Sequence, residues 1–384
     1  MTAPSGPGAD TAPAAAGDRT RHAVARALQL ANLGRLGEAV PLVQQVLATE
    51  PENVSALHVL AYILQRAGRY AEMLAVARQA AALAPDDPTT HRQLARAWQG
   101  LGRAREAVAA AGEAHRLDPE DFRNDVVLAD ALLAAGGTRN IVAAGAATHR
   151  ARQLAPDEVD AHLAEGDVQR RMAEFGRAGR AYRHGLALEP DNPRALYKLA
   201  TLDSDRGRAL RASPLLGGTL QAAPTDPTAL TAATYGARRA LWLLTDAATV
   251  LLLVAAIFTG NWRSEQAGPA GVAVGVLAVL VGVGGTGWFL RWRLGRLAGP
   301  TRTLIRRNLR RPTFLLAGVR LVGVALGGLL LAVDPAPGEE SGLDAAAIVL
   351  IMVPFLLLVL RARNWLLNEA YYLLRRLWFR ARTG

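Results

Sequence analysis

The sequence predicts an all-α protein in two parts: an α-solenoid of helix-turn-helix repeats, then a four-helix transmembrane region. Three observations predict it. Proline recurs at Pro51, Pro85, Pro119, Pro156, Pro190 and Pro224, a step of 34 residues four times and of 37 once. Gly34, Gly68, Gly102 and Gly136, then Ala173 and Gly207, keep the same step with the same single lapse. After residue 240 the chain turns to long apolar runs. A fixed period of this length marks a helical array, because one hairpin cannot bury its apolar stripe whereas stacked hairpins can.

Taken in order, residues 1–19 are mostly Ala, Pro, Gly, Ser and Thr and read as a disordered leader. No apolar core follows basic residues there, so neither a secretory signal nor an anchor is expected. Six repeats fill residues 20–226. In the second, Leu57, Leu60, Ala61 and Leu64 form one helical stripe, and Met73, Ala77 and Ala80 another. Ala61, Ala95, Ala129, Gly166 and Ala200 recur where two helices must approach closely. Asn53, Asp87-Pro88, Asn192-Pro193 and Asp226-Pro227 read as N-caps, three of them followed by a first-turn proline. The three extra residues of the fourth unit fall between Gly136 and Ala144 and are expected in its turn, near 137–140. The fifth unit departs in its first helix, where Glu165 and Gln169 take packing positions.

These units resemble the tetratricopeptide repeat (TPR) family, whose pattern runs through a large residue, Leu-Gly, an aromatic, Ala-x3-Phe and Pro. The third unit carries it in Leu94, Ala95, Trp98, Ala107, Ala111 and Pro119. The sixth carries it in Leu196, Leu199, Ala200, Ala212, Leu216 and Pro224. The resemblance covers just over half the chain and implies a concave groove, lined by the first helix of each unit, that meets a peptide or partner helix. Carried over residue by residue, the groove positions are His58, Tyr62, Arg66, Arg92, Arg96, Arg123, Asp167, Arg170, Tyr197 and Lys198. From Tyr62 to Arg123 the line is aromatic and basic, which suits an acidic peptide, since guanidinium groups grip carboxylates bidentately. The alternative is a merely solvated helix face. The family's carboxylate clamp of lysines and asparagines is not reproduced, so binding of chaperone tails is not expected.

Residues 227–239 read as a capping helix and linker, with Ala229, Leu230 and Ala233 on the apolar side. Spans are then expected at 240–258, 268–290, 313–333 and 345–360, within a region ending at 362, against a hydrocarbon core of about 30 Å. The formal charge of +11 is uneven: 28 basic and 26 acidic residues through Ala240, 16 and 7 beyond it. Arg291 to Pro312 holds eight arginines and no acid, and the basic amphipathic tail follows at 363–384. The loop from Asp334 to Asp344 is acidic, and the short first loop has only Arg263 and Glu265. Positive-inside asymmetry therefore places the solenoid and both termini in the cytoplasm of a multi-pass cell (inner or plasma) membrane protein. Alanine and arginine, with a single lysine, give the composition a bacterial style.

Arginines interleaved with Trp292, Trp365, Tyr371 and Trp378 suit anionic lipid headgroups. Because their place beside the spans accounts for the charge, no nucleic-acid partner is expected. Gly271 with Gly275, and Gly323 with Gly327, have the small-xxx-small spacing of close-packed membrane helices. Asp246 and Arg320 lie roughly 9 and 12 Å from the cytoplasmic boundary at 1.5 Å per residue. They are expected either to pair, fixing the first span beside the third, or to reach separately toward headgroups.

No catalytic constellation is apparent. The absence of cysteine excludes disulfides and thiolate metal sites. The seven histidines form no close ligand pair, and His91 and His162 fall at packing positions. Lys198, the lone lysine, has no glycine-rich phosphate loop before it. Acidic clusters such as Asp86-Asp87 recur where helices begin and suit capping. No enzyme activity, cofactor, metal or small-molecule substrate is expected. The function expected is a membrane-anchored scaffold or adaptor for a protein or peptide partner. The alternatives are a subunit of a transport, secretion or envelope-assembly complex, and a channel or transporter with a regulatory repeat domain.

Overall fold

A computed structural model describes residues 11–206, 209–222, 227–265, 268–296, 299, 303, 312–333 and 342–383. The fold is all-α, with no strand among the described residues. It divides into two units, residues 1–188 and 189–384.

The first unit holds five helical hairpins: α1 (Thr11–Asn32) with α2 (Leu36–Thr49), α3 (Val54–Arg66) with α4 (Tyr70–Leu83), α5 (Pro88–Gly100) with α6 (Ala104–Leu117), α7 (Phe122–Ala135) with α8 (Thr138–Leu154), and α9 (Val159–Arg171) with α10 (Phe175–Leu188). The second half of the leader expected to be disordered belongs to α1. Ala12 and Ala14–Ala16 favour helix, and Pro13 sits in the first turn, where a missing amide costs little. Residues 1–10 lie outside the described residues.

Each of three first helices opens on a side-chain cap. Asn53 accepts from the Ala56 amide at 2.9 Å, Asp87 from Thr89 at 2.8 Å and Asp121 from Arg123 at 3.0 Å. Such caps are each worth about 1 kcal/mol. Inside the hairpins Gly34, Gly68 and Gly102 take φ of 78°, 70° and 72°, and the next amide returns to the helix at 2.9 Å, Arg69 N–H to the Leu64 carbonyl for example. Ala173, the odd member of the glycine series, adopts the same left-handed conformation at φ 62°. The three extra residues of the fourth unit do not lengthen its turn. Two left-handed glycines, Gly136 and Gly137, make that turn, and α8 has 17 residues against 14 in α6. Thr138 to Asn140 are helical because paired glycines end α7 abruptly, and Asn140 ties the new helix to the Gly136 carbonyl at 2.8 Å.

Alanines sit where helices cross. Ala61, Ala95, Ala107, Ala111, Ala129, Ala131 and Ala144 are fully buried. At Gly166 a Cβ would stand 2.2 Å from the ring of Tyr182, so only glycine lets that buried tyrosine lie across α9.

In the second unit α11 (Pro193–Asp205) and α12 (Ala209–Ala222) form the sixth hairpin, followed by α13 (Pro227–Glu265), α14 (Pro269–Gly295), α15 (Pro312–Val333) and α16 (Gly342–Thr383). Ala233 near the start of α13 is buried with Ala200 and Ala212, so this helix caps the sixth hairpin. The expected cap and first span are one 39-residue helix, since between Pro227 and Phe258 the chain offers no further proline and a single glycine, Gly236. The last span and the tail likewise run as one helix of 42 residues, through Pro354.

Ala233–Thr259 and Pro269–Gly295, 27 residues each, are long and apolar enough to cross a membrane; Gly318–Val333 and Ala345–Leu357 are shorter apolar stretches. Glycines bring these helices together. A Cβ on Gly275 would meet Thr259 and Ala332 at 3.2 and 3.3 Å, and one on Gly327 would meet Ile351 at 2.7 Å. The arginines from Arg302 to Arg311 and the acidic loop 334–341 lie outside the described residues.

Candidate partner groove and buried ion pair

His58 and Arg92 occupy the same repeat place, 34 residues apart, and each reaches the start of the next unit's first helix. His58 Nε2 lies 2.9 Å from Thr90 Oγ1 and 3.5 Å from Asp87. Burial pushes the His58 pKa down; Asp87 opposes this and Arg92 adds to it. One repeat on, Arg92 pairs with Asp121 and donates to Asn124 Oδ1 and Thr89 Oγ1, both at 3.1 Å. Burial alone would raise the Asp121 carboxyl, but the Arg123 amide and the Arg92 and Arg123 guanidiniums outweigh it and hold it below its ordinary value. In the following joint the equivalent residue is Val126, buried with Ala161 and Ala164. Two successive joints are therefore polar clasps and the next is apolar.

This changes the part played by Arg92. Its side chain is 15% exposed and neutralised within the array, so it serves the joint and is not a free cation for a carboxylate. The exposed cations among the groove positions are Arg66, Arg123 and Arg170. Arg66 donates to the Tyr62 hydroxyl at 3.1 Å, and that hydroxyl donates to Asn32 at 2.8 Å. Arg123, 60% exposed, stacks 4.9 Å from the Phe122 ring centroid and lies 3.5 Å from Asp121. Arg96 is half-buried and reaches Gln65 at 3.5 Å.

Farther along, Asp167 accepts from the Tyr182 hydroxyl at 2.7 Å. Burial raises the Tyr182 pKa and Asp167 raises it further, while Arg170 acts against them. Tyr197 is exposed and Lys198 half-buried, both in the second unit. Sequence reasoning missed Asp130, although the repeat step marks it: Tyr62, Arg96, Asp130 and Asp167 share one place in successive units.

Asp125 was also missed. Its side chain is fully buried and accepts from Arg150 Nη2 at 2.6 Å and Nε at 3.3 Å. His115 Nδ1 lies 3.3 Å away without the geometry of a hydrogen bond. His91 and His162, in the same repeat place as Asp125, reach the carbonyls of Pro85 and Pro156 at 2.6 and 2.7 Å. No group of three or more His, Asp or Glu placed to hold a metal occurs among the described residues.

Within the second unit Asp246 and Arg320 come together. Arg320 Nη2 donates to Asp246 Oδ1 at 2.6 Å and to Thr249 Oγ1 at 3.0 Å, and the guanidinium lies 5.2 Å from the Trp242 ring centroid. The arginine side chain is 2% exposed, so it does not reach outward on its own. Its Nε and Nη1 are buried without a hydrogen-bond partner.

A family model described as tetratricopeptide repeat matches residues 54–97, which span α3, α4 and most of α5. These residues carry a tetratricopeptide repeat (TPR). Solved structures resemble this chain over about half its length. A thermophilic TPR protein of Thermus thermophilus is 25% identical, covering 46% of this chain and 95% of its own, with a TM-score of 0.44. PilF of Pseudomonas aeruginosa is 16% identical over 56% of this chain and 96% of its own, with a TM-score of 0.41. YrrB, a TPR protein with an unusual peptide-binding site, is 16% identical over 50% and 96%, with a TM-score of 0.31. No curated protein matches.

Proposed function

We propose that this TPR protein is a non-enzymatic membrane-anchored scaffold, whose cytoplasmic repeats hold an acidic segment of a protein partner beside the bilayer. The observation that carries the reading is one chain holding a helical repeat array and two 27-residue apolar helices. Counting the stretches at Gly318–Val333 and Ala345–Leu357 gives four spans, with both ends of the chain inside. Tethering then raises the effective concentration of the groove toward membrane-bound partners without demanding tight intrinsic binding.

The groove's charge order supports an oriented partner. The shared place runs Tyr62, Arg96, Asp130, Asp167, from aromatic and basic to acidic. The partner's acidic end lies over the second and third units, near Arg66 and Arg123, and its other end runs toward the fourth and fifth, where Asp130, Asp167 and the exposed Arg170 mix both signs.

The test uses the full-length chain in lipid nanodiscs, titrated with fluorescent acidic, basic and charge-scrambled peptides. The acidic peptide binds, and joint Arg66→Gln and Arg123→Gln substitution weakens it about tenfold, the loss of roughly one charge-assisted hydrogen bond. Equal affinity for all three peptides, or indifference to the substitutions, overturns the reading.

A further inference from the structure

α13 and α14 leave the apolar bundle at a shared corner. Ala237, Leu241 and Leu244 are buried against Phe289, Leu290 and Leu294, and higher on the same pair Gly282 packs against Ala255. The two helices run antiparallel here, so Tyr235 and Arg238 lie toward the same end of the pair as Arg293 and Arg296. Neither Pro227–Thr245 nor Pro269–Pro312 contains an acidic residue. Arg238, Arg293 and Arg296 therefore gather where neither stretch offers a carboxylate.

Aromatic rings answer them instead. The Arg293 and Arg296 guanidiniums lie 4.8 and 4.1 Å from the centroid of one indole, Trp292, which stacks on Trp288 at 6.0 Å. Arg238 lies 5.8 Å from the Tyr235 ring, and Arg239 donates to the Tyr235 hydroxyl at 2.9 Å. A ring satisfies the face of a guanidinium and leaves its N–H edge for an oxyanion. Arg293 Nε is buried with no hydrogen-bond partner. Two cations on one indole repel each other until an anion bridges them.

The face above the corner is apolar and notched. Leu277, Val281 and Trp288 are exposed, and at Gly284 and Gly285 an added Cβ would meet nothing within 4 Å. Tryptophan and arginine at this height suit the headgroup boundary, with hydrocarbon on one side and phosphate on the other.

We propose that this corner binds one anionic phospholipid. Arg293 and Arg296 take the phosphate with Arg238 alongside, and the acyl chains run over Val281 and the Gly284–Gly285 notch. The proposal rests on the membrane-anchored reading above and adds a discrete, selective site to it.

The full-length chain, purified in mild detergent, is titrated with phosphatidylglycerol, with phosphatidylcholine and with inorganic phosphate. Retained lipid is counted by native mass spectrometry, and the thermal midpoint is followed in parallel. Phosphatidylglycerol is retained in preference to phosphatidylcholine, and millimolar phosphate does not displace it. Arg293→Gln with Arg296→Gln weakens retention about tenfold or more. Arg296→Gln alone, at an exposed position that leaves the fold intact, weakens it less, and Arg105→Gln in the repeats has no effect. Equal retention of the two lipids, or a double variant that binds as the parent does, overturns the site. Displacement by phosphate alone shows a soluble-anion site and also overturns it. A chain recovered from the soluble fraction of cells counts against both the site and the anchoring, whereas an integral protein without lipid preference counts against the site alone.

Discussion

The same ion pair occurs in two settings. In the array Arg92 spreads its donors over Asp121, Asn124 and Thr89 at a joint where the guanidinium is 15% exposed. In the bundle Arg320 gives one nitrogen to both Asp246 and Thr249, keeps two nitrogens unpartnered, and is 2% exposed. The two carboxylates are alike, 19% and 18% exposed, so the contrast lies in the guanidiniums: water can reach Arg92 if its partner is lost and cannot reach Arg320. A clasp of the first kind is a modest, dispensable contribution to stability. A pair of the second kind makes the buried arginine a liability without its aspartate.

The largest expected effect follows from that asymmetry. Asp246→Leu leaves Arg320 charged and unpaired, and loses about 3–5 kcal/mol, the usual cost of breaking a buried pair. Replacing both residues with leucine restores a thermal midpoint in detergent near the parent's. A double variant no better than either single would show that the pair is not the coupling between α13 and α15.

A steric break in the array comes next. Gly166→Ala drives a methyl into the Tyr182 ring, and overpacking of this kind costs about 1–3 kcal/mol. Joint Gly166→Ala and Tyr182→Leu substitution should recover part of the loss by urea melting if that contact is the cause.

The Arg92 clasp ranks third, and its sign is set by pH. The Asp121 carboxyl is held below its ordinary value, so its contribution is full above the unfolded aspartate pKa of about 3.9 and is lost as pH falls through the lower folded value. Asp121→Asn should flatten that acid limb of the stability profile. His58 adds a second slope: its folded pKa is lowered, so the unfolded chain binds the extra proton and stability falls as pH drops below about 6.5. His58→Gln removes that slope. An unchanged profile in either variant would separate the clasps from array stability.

Smallest is Ala173→Gly. Left-handed backbone costs an L-residue about 1–2 kcal/mol, partly offset by glycine's greater unfolded entropy of about 0.5–1 kcal/mol, so a gain of up to about 1 kcal/mol is expected. A loss would mean that the Ala173 side chain packs better than the turn suffers.

The repeats were legible because two punctuators in phase are hard to produce otherwise, and Ala173 was placed in its turn by that phase alone. What stayed hidden depended on direction. Asp125 sits where the neighbouring repeats carry histidines, and a carboxylate in mid-helix reads as a solvated residue until His115 and Arg150 are seen to close over it. Arg92 was recognised as a groove position, but its side-chain direction, along the joint and not into the groove, is set by Asp121 on the next unit. Thr138 to Asn140 have turn-like chemistry, and only the paired glycines before them decide that the insertion is helical. In the bundle, Asp246 and Arg320 were found because charges are rare in apolar runs. The Arg293–Trp292–Arg296 stack was not, since interleaved arginine and tryptophan fit any headgroup-facing helix.

The account rests on repeats that share the inner side of a bilayer with the arginine-rich loop, and the lack of native cysteine makes this directly measurable. Arg123→Cys in the full-length chain is exposed to a membrane-impermeant maleimide in sealed right-side-out vesicles. The account predicts no labelling until the vesicles are permeabilised, and then full labelling that an acidic peptide reduces. Labelling of intact vesicles would contradict it.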